Sequence, residues 1–237
     1  MKILLIKMGA TMSPVKSKFG DYESWFERAL GKYGRYLEAI DAVSDPDWSQ
    51  VSTPDGCIIS GSAASVYEEL SWSTAASDMI EAWRLSGVPI LGVCYGHQLL
   101  AQNAGARVAL NPSGREIGVC QIERVVNDPL FDGLPPQFSV VQTHSDAVLT
   151  GVPGGQVLAS NGNTQNQAMA MGNRVRSVQW HPEMTAEIIE MYIELRETEI
   201  IAELGSSAID KLRSALRPVT SGQTILKNFV DHFVLQS

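Results

Sequence analysis

The sequence predicts an α/β fold, with a mostly parallel central sheet, helices on both faces and antiparallel strands added at one edge. Three observations predict it. Between residues 2 and 104, short apolar runs alternate with stretches of helical periodicity, the rhythm of βα units around a parallel sheet. After Gly105, short β-like runs follow one another, separated by Asn, Gly and Pro turns, as in antiparallel additions. From about Thr185 the helical pattern returns. The chain has 237 residues, of which 44% are hydrophobic, and shows no internal repeat and no long linker. One domain over residues 1–237 is expected, with a helical C-terminal extension over about 185–237.

The elements follow in order. Residues 2–8 form an apolar run that ends at Met8-Gly9 and reads as a buried first strand. Glu23 to Tyr33 places Trp25, Phe26 and Leu30 at helical spacing and is closed by Gly31 and Gly34. Leu37 to Val43 reads as a second strand, and Asp45 to Asp55, with two prolines, as a surface connection. Gly56 to Ile59 is a third strand running into Ser60-Gly61-Ser62-Ala63. A helix from about Thr74 to Ser86 leads to a strand at Pro89 to Val93 and a helix at Gly96 to Ala104. The later β-like runs are Ile117 to Val126, Phe138 to Gln142, Val157 to Ala159, Gln167 to Met171 and Val175 to Trp180.

Composition narrows the function. A formal net charge of −8 without a basic run argues against nucleic acid or an anionic membrane as partner. No apolar stretch approaches the roughly 20 residues of a membrane span, and residues 1–7 lack the pattern of a signal peptide. Three cysteines cannot all pair and show no close metal-ligand spacing, so a reducing cytoplasm and no metal or cofactor are expected. The carboxylates at Glu187, Glu190, Glu194 and Glu197 read as solvated helix faces.

The chemistry concentrates at three strand ends. Gly92-Val93-Cys94-Tyr95-Gly96 joins an apolar strand to a helix, the layout of a nucleophile elbow with a thiol at its centre. The helix N-terminus behind Cys94 favours negative charge on the sulfur. A nucleophilic cysteine needs a base and a group to orient that base. Of four histidines, His181 fits best, because Pro182 holds it extended at the end of an apolar strand and Glu183 lies two residues on. Oxyanion donors are expected from the N–H of Tyr95 and from the turn Gly61-Ser62-Ala63, with Ser62 the second donor. His97 reads as structural and His232 as a surface or packing residue. Cys57 and Cys120 read as packed core thiols.

These residues carry a resemblance. The chain resembles the class I (triad) glutamine amidotransferases, and in particular is similar to the amidotransferase domain of GMP synthase. The likeness runs through Ile58-Ile59-Ser60-Gly61-Ser62, Gly92 to Gln98, Arg115-Glu116-Ile117-Gly118, Thr143-His144-Ser145-Asp146 and Gln179-Trp180-His181-Pro182-Glu183, over about residues 2–190. It implies a flavodoxin-like sheet, Cys94 as nucleophile, His181 as general acid/base and Glu183 as its orienting carboxylate. Gln98, Ser145 and Asp146, with Gly61 and Ala63, match positions that hold the substrate, and His144 matches a loop-shaping residue. The implied reaction is hydrolysis of the glutamine side-chain amide through a γ-glutamyl thioester. Two departures stand out: the family's oxyanion turn is commonly Gly-Gly-Pro, and no Gly-rich phosphate loop follows the amidotransferase-like region.

Three functions therefore compete. A glutaminase that passes ammonia to a synthetase partner predicts stimulation by that partner. A free-standing γ-glutamyl hydrolase predicts partner-free turnover of another γ-glutamyl compound. A non-catalytic binding module has no chemical need for Cys94, His181 and Glu183 together. Trp72, Trp83 and Tyr67 could form a partner surface, but helix packing explains them more simply.

Overall fold

The chain was studied as a computed structural model, which describes residues 1–236. Its elements in chain order are β1 (Ile3–Lys7), α1 (Ser13–Phe19), α2 (Tyr22–Leu30), β2 (Leu37–Asp41), β3 (Gly56–Ile59), α3 (Ser71–Leu85), β4 (Ile90–Val93) and α4 (Tyr95–Asn103). There follow β5 (Val108–Leu110), β6 (Glu116–Arg124), β7 (Gln137–His144), β8 (Asp146–Val148), β9 (Gly155–Ser160), β10 (Ala168–Met171) and β11 (Val175–Val178). Four helices complete the described chain: α5 (Ala186–Leu195), α6 (Glu197–Leu204), α7 (Ala208–Ala215) and α8 (Ser221–Phe229), the last running into a π-helical turn at Val230–Val234.

Nine strands form one sheet in the order β2-β1-β3-β4-β11-β10-β9-β6-β7. It is parallel from β2 to β11 and antiparallel from β11 to β7. The predicted α/β class with its antiparallel addition is therefore present. A separate pair, β5 and β8, is antiparallel.

Strand β1 shows why its residues form a central strand. Ile3 and Leu5 enter the core on one face of the sheet, while Leu4 and Ile6 enter the core on the other. A strand buried on both faces has no polar side to present, which is why the sequence reads as an unbroken apolar run. Strand β4 repeats the pattern, with Leu91 and Val93 on the first face and Ile90 on the second. Helices α2, α5 and α8 cover the first face; α3 and α4 cover the second. Full burial of one such aliphatic side chain contributes about 1.5–3 kcal/mol, so these two layers carry the fold.

Two expectations need correction. The helix read at Glu23 to Tyr33 ends at Leu30, because Gly31 at φ 57° turns the chain into a 3₁₀ segment over Gly31–Tyr36. The strand read to Trp180 ends at Val178, and His181 stands three residues beyond it. Helices α1 and strands β5 and β8 were not read from the sequence. Helical structure after Thr185 runs to Val234; residue 237, included in the expected C-terminal extension, lies outside the described residues.

Candidate active site

Cys94 lies between β4 and α4 with φ 51° and ψ −100°. A side chain in that conformation costs about 1–3 kcal/mol and persists only where its surroundings hold it. They do so here by hydrogen bonding. The Cys94 N–H donates to Val178 O at 2.9 Å, Gln98 N–H donates to Cys94 O at 3.1 Å, and Gly96 N–H donates to Ser60 O at 3.3 Å. The close approach also demands glycine at 96, where a Cβ would meet Ile59 Cβ and O at 2.7 Å. Helix α4 is thereby pressed onto β3, and its first turn points at the sulfur.

His181 reaches the same point from the neighbouring strand. Its N–H donates to Val141 O at 2.9 Å, anchoring the segment to β7. Its imidazole Nδ1 lies 2.7 Å from Glu183 Oε1, and its ring and the Cys94 side chain stand against the same point of the Gly61 turn. All three residues are buried, at 6%, 4% and 2% exposure for Cys94, His181 and Glu183. Burial on its own disfavours the imidazolium, but the charges of Glu183 and Cys94 outweigh it and hold the His181 pKa up to about 10. His181 is thus held as a cation beside the sulfur at neutral pH.

The segment after His181 is braced from outside the sheet. Thr185 caps α5 by accepting from Ile188 N–H, so Glu183 is fixed between strand and helix. Helix α8 packs against Pro182 so tightly that a Cβ on Gly222 would overlap the Pro182 carbonyl. Ser221 Oγ donates to Ser139 O at 2.6 Å, tying α8 to β7.

The turn Gly61-Ser62-Ala63 closes over the pair. Ser60 Oγ accepts from Met8 N–H at 2.9 Å and donates to Gly61 O at 2.9 Å, which fixes the turn to the end of β1. Ser62 Oγ accepts from Ala64 N–H at 3.1 Å, so the serine side chain closes a bend within the turn. A Cβ on Gly61 would lie 2.8 Å from His181 Cε1 and 3.6 Å from Cys94 Cβ. Tyr95, at the first position of α4, has no acceptor for its N–H within the helix. Its hydroxyl is far from that N–H chemistry, hydrogen-bonded to Ser73 at 2.6 Å.

Cys94 and His181 open onto a cavity of about 210 Å³. Ser62, Ala63, Gln98, Ser145 and Asp146 all line it. Gln98 enters in a particular way: its Nε2 donates to Asp146 O at 3.0 Å and to Gln179 Oε1 at 3.1 Å, so its amide nitrogen holds the wall together. Asp146 accepts from Ser65 Oγ at 2.7 Å and from Tyr67 OH at 3.1 Å. Tyr67 therefore belongs to the cleft rather than to helix packing. Ser145 is the single residue between β7 and β8, so what reads as a loop is a turn clamped between two strands.

The opposite wall was not anticipated. Thr11, Tyr22 and Tyr192 stand there, with Thr11 Oγ1 and Tyr192 OH 2.6 Å apart. Arg115 reaches the cavity but is held by Glu203 at 2.8 and 2.9 Å. The remaining histidines lie elsewhere in role. His97 is fully buried, with Nδ1 2.8 Å from Ser177 Oγ and Nε2 3.2 Å from Asn166 O, and burial pushes its pKa down to about 3. His232 is partly exposed and 3.2 Å from Asp132. Burial raises the thiol pKa of Cys57, which is packed in the core as expected; Cys120 is only half-buried and outside both core layers, and burial pushes its pKa up to about 12. Among the described residues no cluster of His, Cys, Asp and Glu could hold a metal ion, and no helix is long and apolar enough to cross a membrane.

The chain matches the class-I glutamine amidotransferase family over residues 18–194. It is 39% identical over 171 residues to the glutamine-hydrolyzing GMP synthase of Thermomicrobium roseum, covering 69% of this chain and 31% of that protein. It is 31% identical over 210 residues to the corresponding enzyme of Aeropyrum pernix, covering 83% of this chain and 40% of that protein. The chain thus spans well under half the length of these relatives. Among solved structures, a glutamine amidotransferase from Thermotoga maritima superposes with a TM-score of 0.80 at 20% identity, covering 98% of each chain. A glutamine amidotransferase from Methylobacillus flagellatus superposes with a TM-score of 0.74 at 16% identity, covering 98% of this chain and 95% of the other. These two likenesses establish the shared fold.

Proposed function

The chain belongs to the class-I glutamine amidotransferases, and on that premise we propose that Cys94, His181 and Glu183 are its catalytic triad for hydrolysing the side-chain amide of glutamine. One observation carries the proposal: a thiol on a strained strand-to-helix turn opens onto the same cavity as an imidazole whose Nδ1 meets a buried carboxylate 2.7 Å away.

The chemistry follows from that order. Cys94 sulfur, as thiolate, attacks the δ-carbonyl carbon of glutamine. The carbonyl electrons move to oxygen, and the N–H groups of Tyr95 and of the 61–63 turn, that of Ser62 foremost, stabilise the oxyanion. His181 donates its proton to the amide nitrogen, the C–N bond breaks and ammonia leaves. The γ-glutamyl thioester that remains is attacked by water, which His181 deprotonates, and glutamate departs as the thiolate re-forms. Glu183 keeps the imidazole oriented and stabilises its cationic form throughout. Proton transfer of this kind contributes about 10²–10⁴-fold, and each well-placed oxyanion donor about 10²–10³-fold.

The amino-acid end of glutamine is placed against Gln98, Ser145 and Asp146, with the small residues Gly61 and Ala63 letting it approach the turn. The relatives are named as glutamine-hydrolyzing GMP synthases, which supports a synthetase as the acceptor of the ammonia. Turnover of glutamine and of a panel of γ-glutamyl compounds, with wild type and Cys94→Ala, tests the proposal. Glutamine hydrolysis that depends on Cys94 supports it. Equal rates for the two proteins on every substrate would overturn it, and Cys94-dependent turnover of another γ-glutamyl compound alone would replace glutamine as substrate.

A further inference from the structure

His144, which lines the cleft, and Glu116 behind it form a buried ion pair that the proposed reaction does not use. Glu116, the first residue of β6, is in register with His144, the last of β7. Their side chains are 6% and 1% exposed, and Glu116 Oε2 lies 3.3 Å from His144 Nε2.

The surroundings set both charges. Glu116 accepts from Asn161 Nδ2 at 2.5 Å, Thr164 Oγ1 at 2.6 Å and Gln167 Nε2 at 2.9 Å, every one a donor. With His144 these partners outweigh the burial that would raise the carboxyl pKa and hold it below the ordinary range. His144 meets the reverse environment. Its Nε2 lies 2.6 Å from Gln142 Oε1 and its Nδ1 2.9 Å from Asp146 O, so both nitrogens face acceptors. A neutral imidazole carries one N–H and would leave one nitrogen without a hydrogen to donate; the imidazolium satisfies both. Of the nearby ionisable groups, His97 on α4 is held neutral by burial and Cys120 on β6 remains a thiol, while Arg115 is paired with Glu203 and the Asp146 carboxylate is turned toward Ser65 and Tyr67.

The pair points at the cleft through one atom. Asp146 O receives both His144 Nδ1–H and Gln98 Nε2–H, while Ser145 O accepts from Asn111 N–H at 2.8 Å. The two-residue wall is therefore pinned from behind by its carbonyls. Its carboxylate is left to reach across to Ser65 and Tyr67. A buried ion pair is weak evidence for stability, since well-packed apolar residues often serve as well or better. Something other than stability is the better account of it.

We propose that the Glu116–His144 ion pair is a positioning device that sets the Ser145–Asp146 turn for binding the amino-acid end of the substrate, without touching the reacting atoms. The inference rests on the reading of the cleft as a glutamine site. Its test has an arm that does not.

The test uses the full chain as wild type, Glu116→Gln, His144→Gln and the double variant, with two readouts. The first is amide hydrogen exchange at residues 145–148, expected to quicken about tenfold or more in each single variant, while exchange in β1, β3 and β4 stays as in wild type. The second is steady-state kinetics on glutamine, with KM expected to rise about tenfold or more and kcat to fall by less. A general loss of folded enzyme would lower kcat and leave KM alone, so the split separates positioning from mere stability. The double variant leaves no unpaired buried charge and is expected to fold where a single variant does not; it should still show fast exchange and high KM. Wild-type exchange at 145–148, or unchanged KM with lowered kcat, would overturn the proposal. If wild type proves not to hydrolyse glutamine, the exchange arm still decides the clamp, and the substrate reading alone falls.

Discussion

Gly61 lies so close to the imidazole of His181 that a β-carbon there would stand 2.8 Å from Cε1, inside any tolerable contact. The ring cannot retreat, because its Nδ1 is held by Glu183 and its backbone by Val141. Gly61→Ala is therefore expected to displace His181 from Cys94. A shift of this kind costs about 10²-fold or more in kcat/KM on glutamine. Circular dichroism and thermal unfolding should stay close to wild type. Full activity in Gly61→Ala would show that the turn yields instead of the ring.

The thiols separate cleanly. Cys94→Ala should lower kcat by about 10⁴-fold or more, since removing the nucleophile leaves only binding and oxyanion contacts. Cys57, fully buried among aliphatic side chains, should behave oppositely. Cys57→Ala is expected to cost about 1 kcal/mol of stability, the order of a small buried group, with glutamine turnover retained. Denaturant titration beside an ammonia-release assay reads both. A similar loss of activity in both variants would mean the nucleophile is misassigned.

Glu183→Gln removes the charge that holds His181 cationic. The His181 pKa of about 10 should fall sharply, followed by the pH dependence of its ring resonances, and kcat should drop by about 10²–10⁴-fold. The sign of the stability effect is set by the raised value. The stabilisation is fully present below the ordinary histidine pKa of about 6.5, shrinks as pH rises, and is gone above about 10. The stability gap between wild type and Glu183→Gln should therefore be wide near pH 6 and close toward pH 10. A gap that widens with pH would contradict the ion pair.

Asp21 offers a test of the architecture away from the chemistry. Burial raises its pKa, but N–H groups of Tyr22 and Thr11 and the cations Lys16 and Lys7 outweigh this and hold it low. Its Oδ1 accepts from Tyr22 N–H at 2.9 Å and Thr11 N–H at 3.1 Å, capping α2 and fixing the loop that carries one cleft wall. Asp21→Ala should cost about 1–2 kcal/mol at neutral pH. Because the carboxyl pKa is lowered, this contribution is present above the ordinary carboxylate value and lost as pH falls below it. The difference between the two proteins in urea titrations should shrink below about pH 4.

Much of the site was legible because its key residues sit where chain punctuation is strongest. Cys94 lies between Gly92 and Gly96, and His181 before Pro182, so the ends of two buried strands were marked by residues with few backbone alternatives. The parallel strands were legible for the same reason: β1 and β4, buried on both faces, admit no polar residues. Tyr22, Tyr192 and Thr11 escaped because their spacing serves packing as well as it serves the cleft. Tyr192 points its ring into the core and only its hydroxyl toward Thr11. Strands β5 and β8 have three residues each, too few to display a period. Tyr67 was read as helix packing, and its partner Asp146 lies 79 positions away. Glu116 was named only as part of a motif of the resemblance, with no role; the pairing of β6 with β7 is what places it against His144.

One relationship in the sheet has a wider consequence. Strands β4 and β11 are hydrogen-bonded neighbours running the same way, with Val93 opposite Val178. Cys94 follows β4 directly and His181 follows β11 by three residues, both at the same end of strands about 4.8 Å apart. Loops set the shape of the cleft, but strand pairing, with the His181 backbone anchored to Val141 of β7, brings the Cys94 thiol and the His181 imidazole together. Exchanges in the 64–70 segment, away from the Gly61 contact with His181, can therefore alter what is admitted while leaving that spacing untouched. The scaffold separates its ruler from its filter, and new specificity can be sought in the second without recalibrating the first.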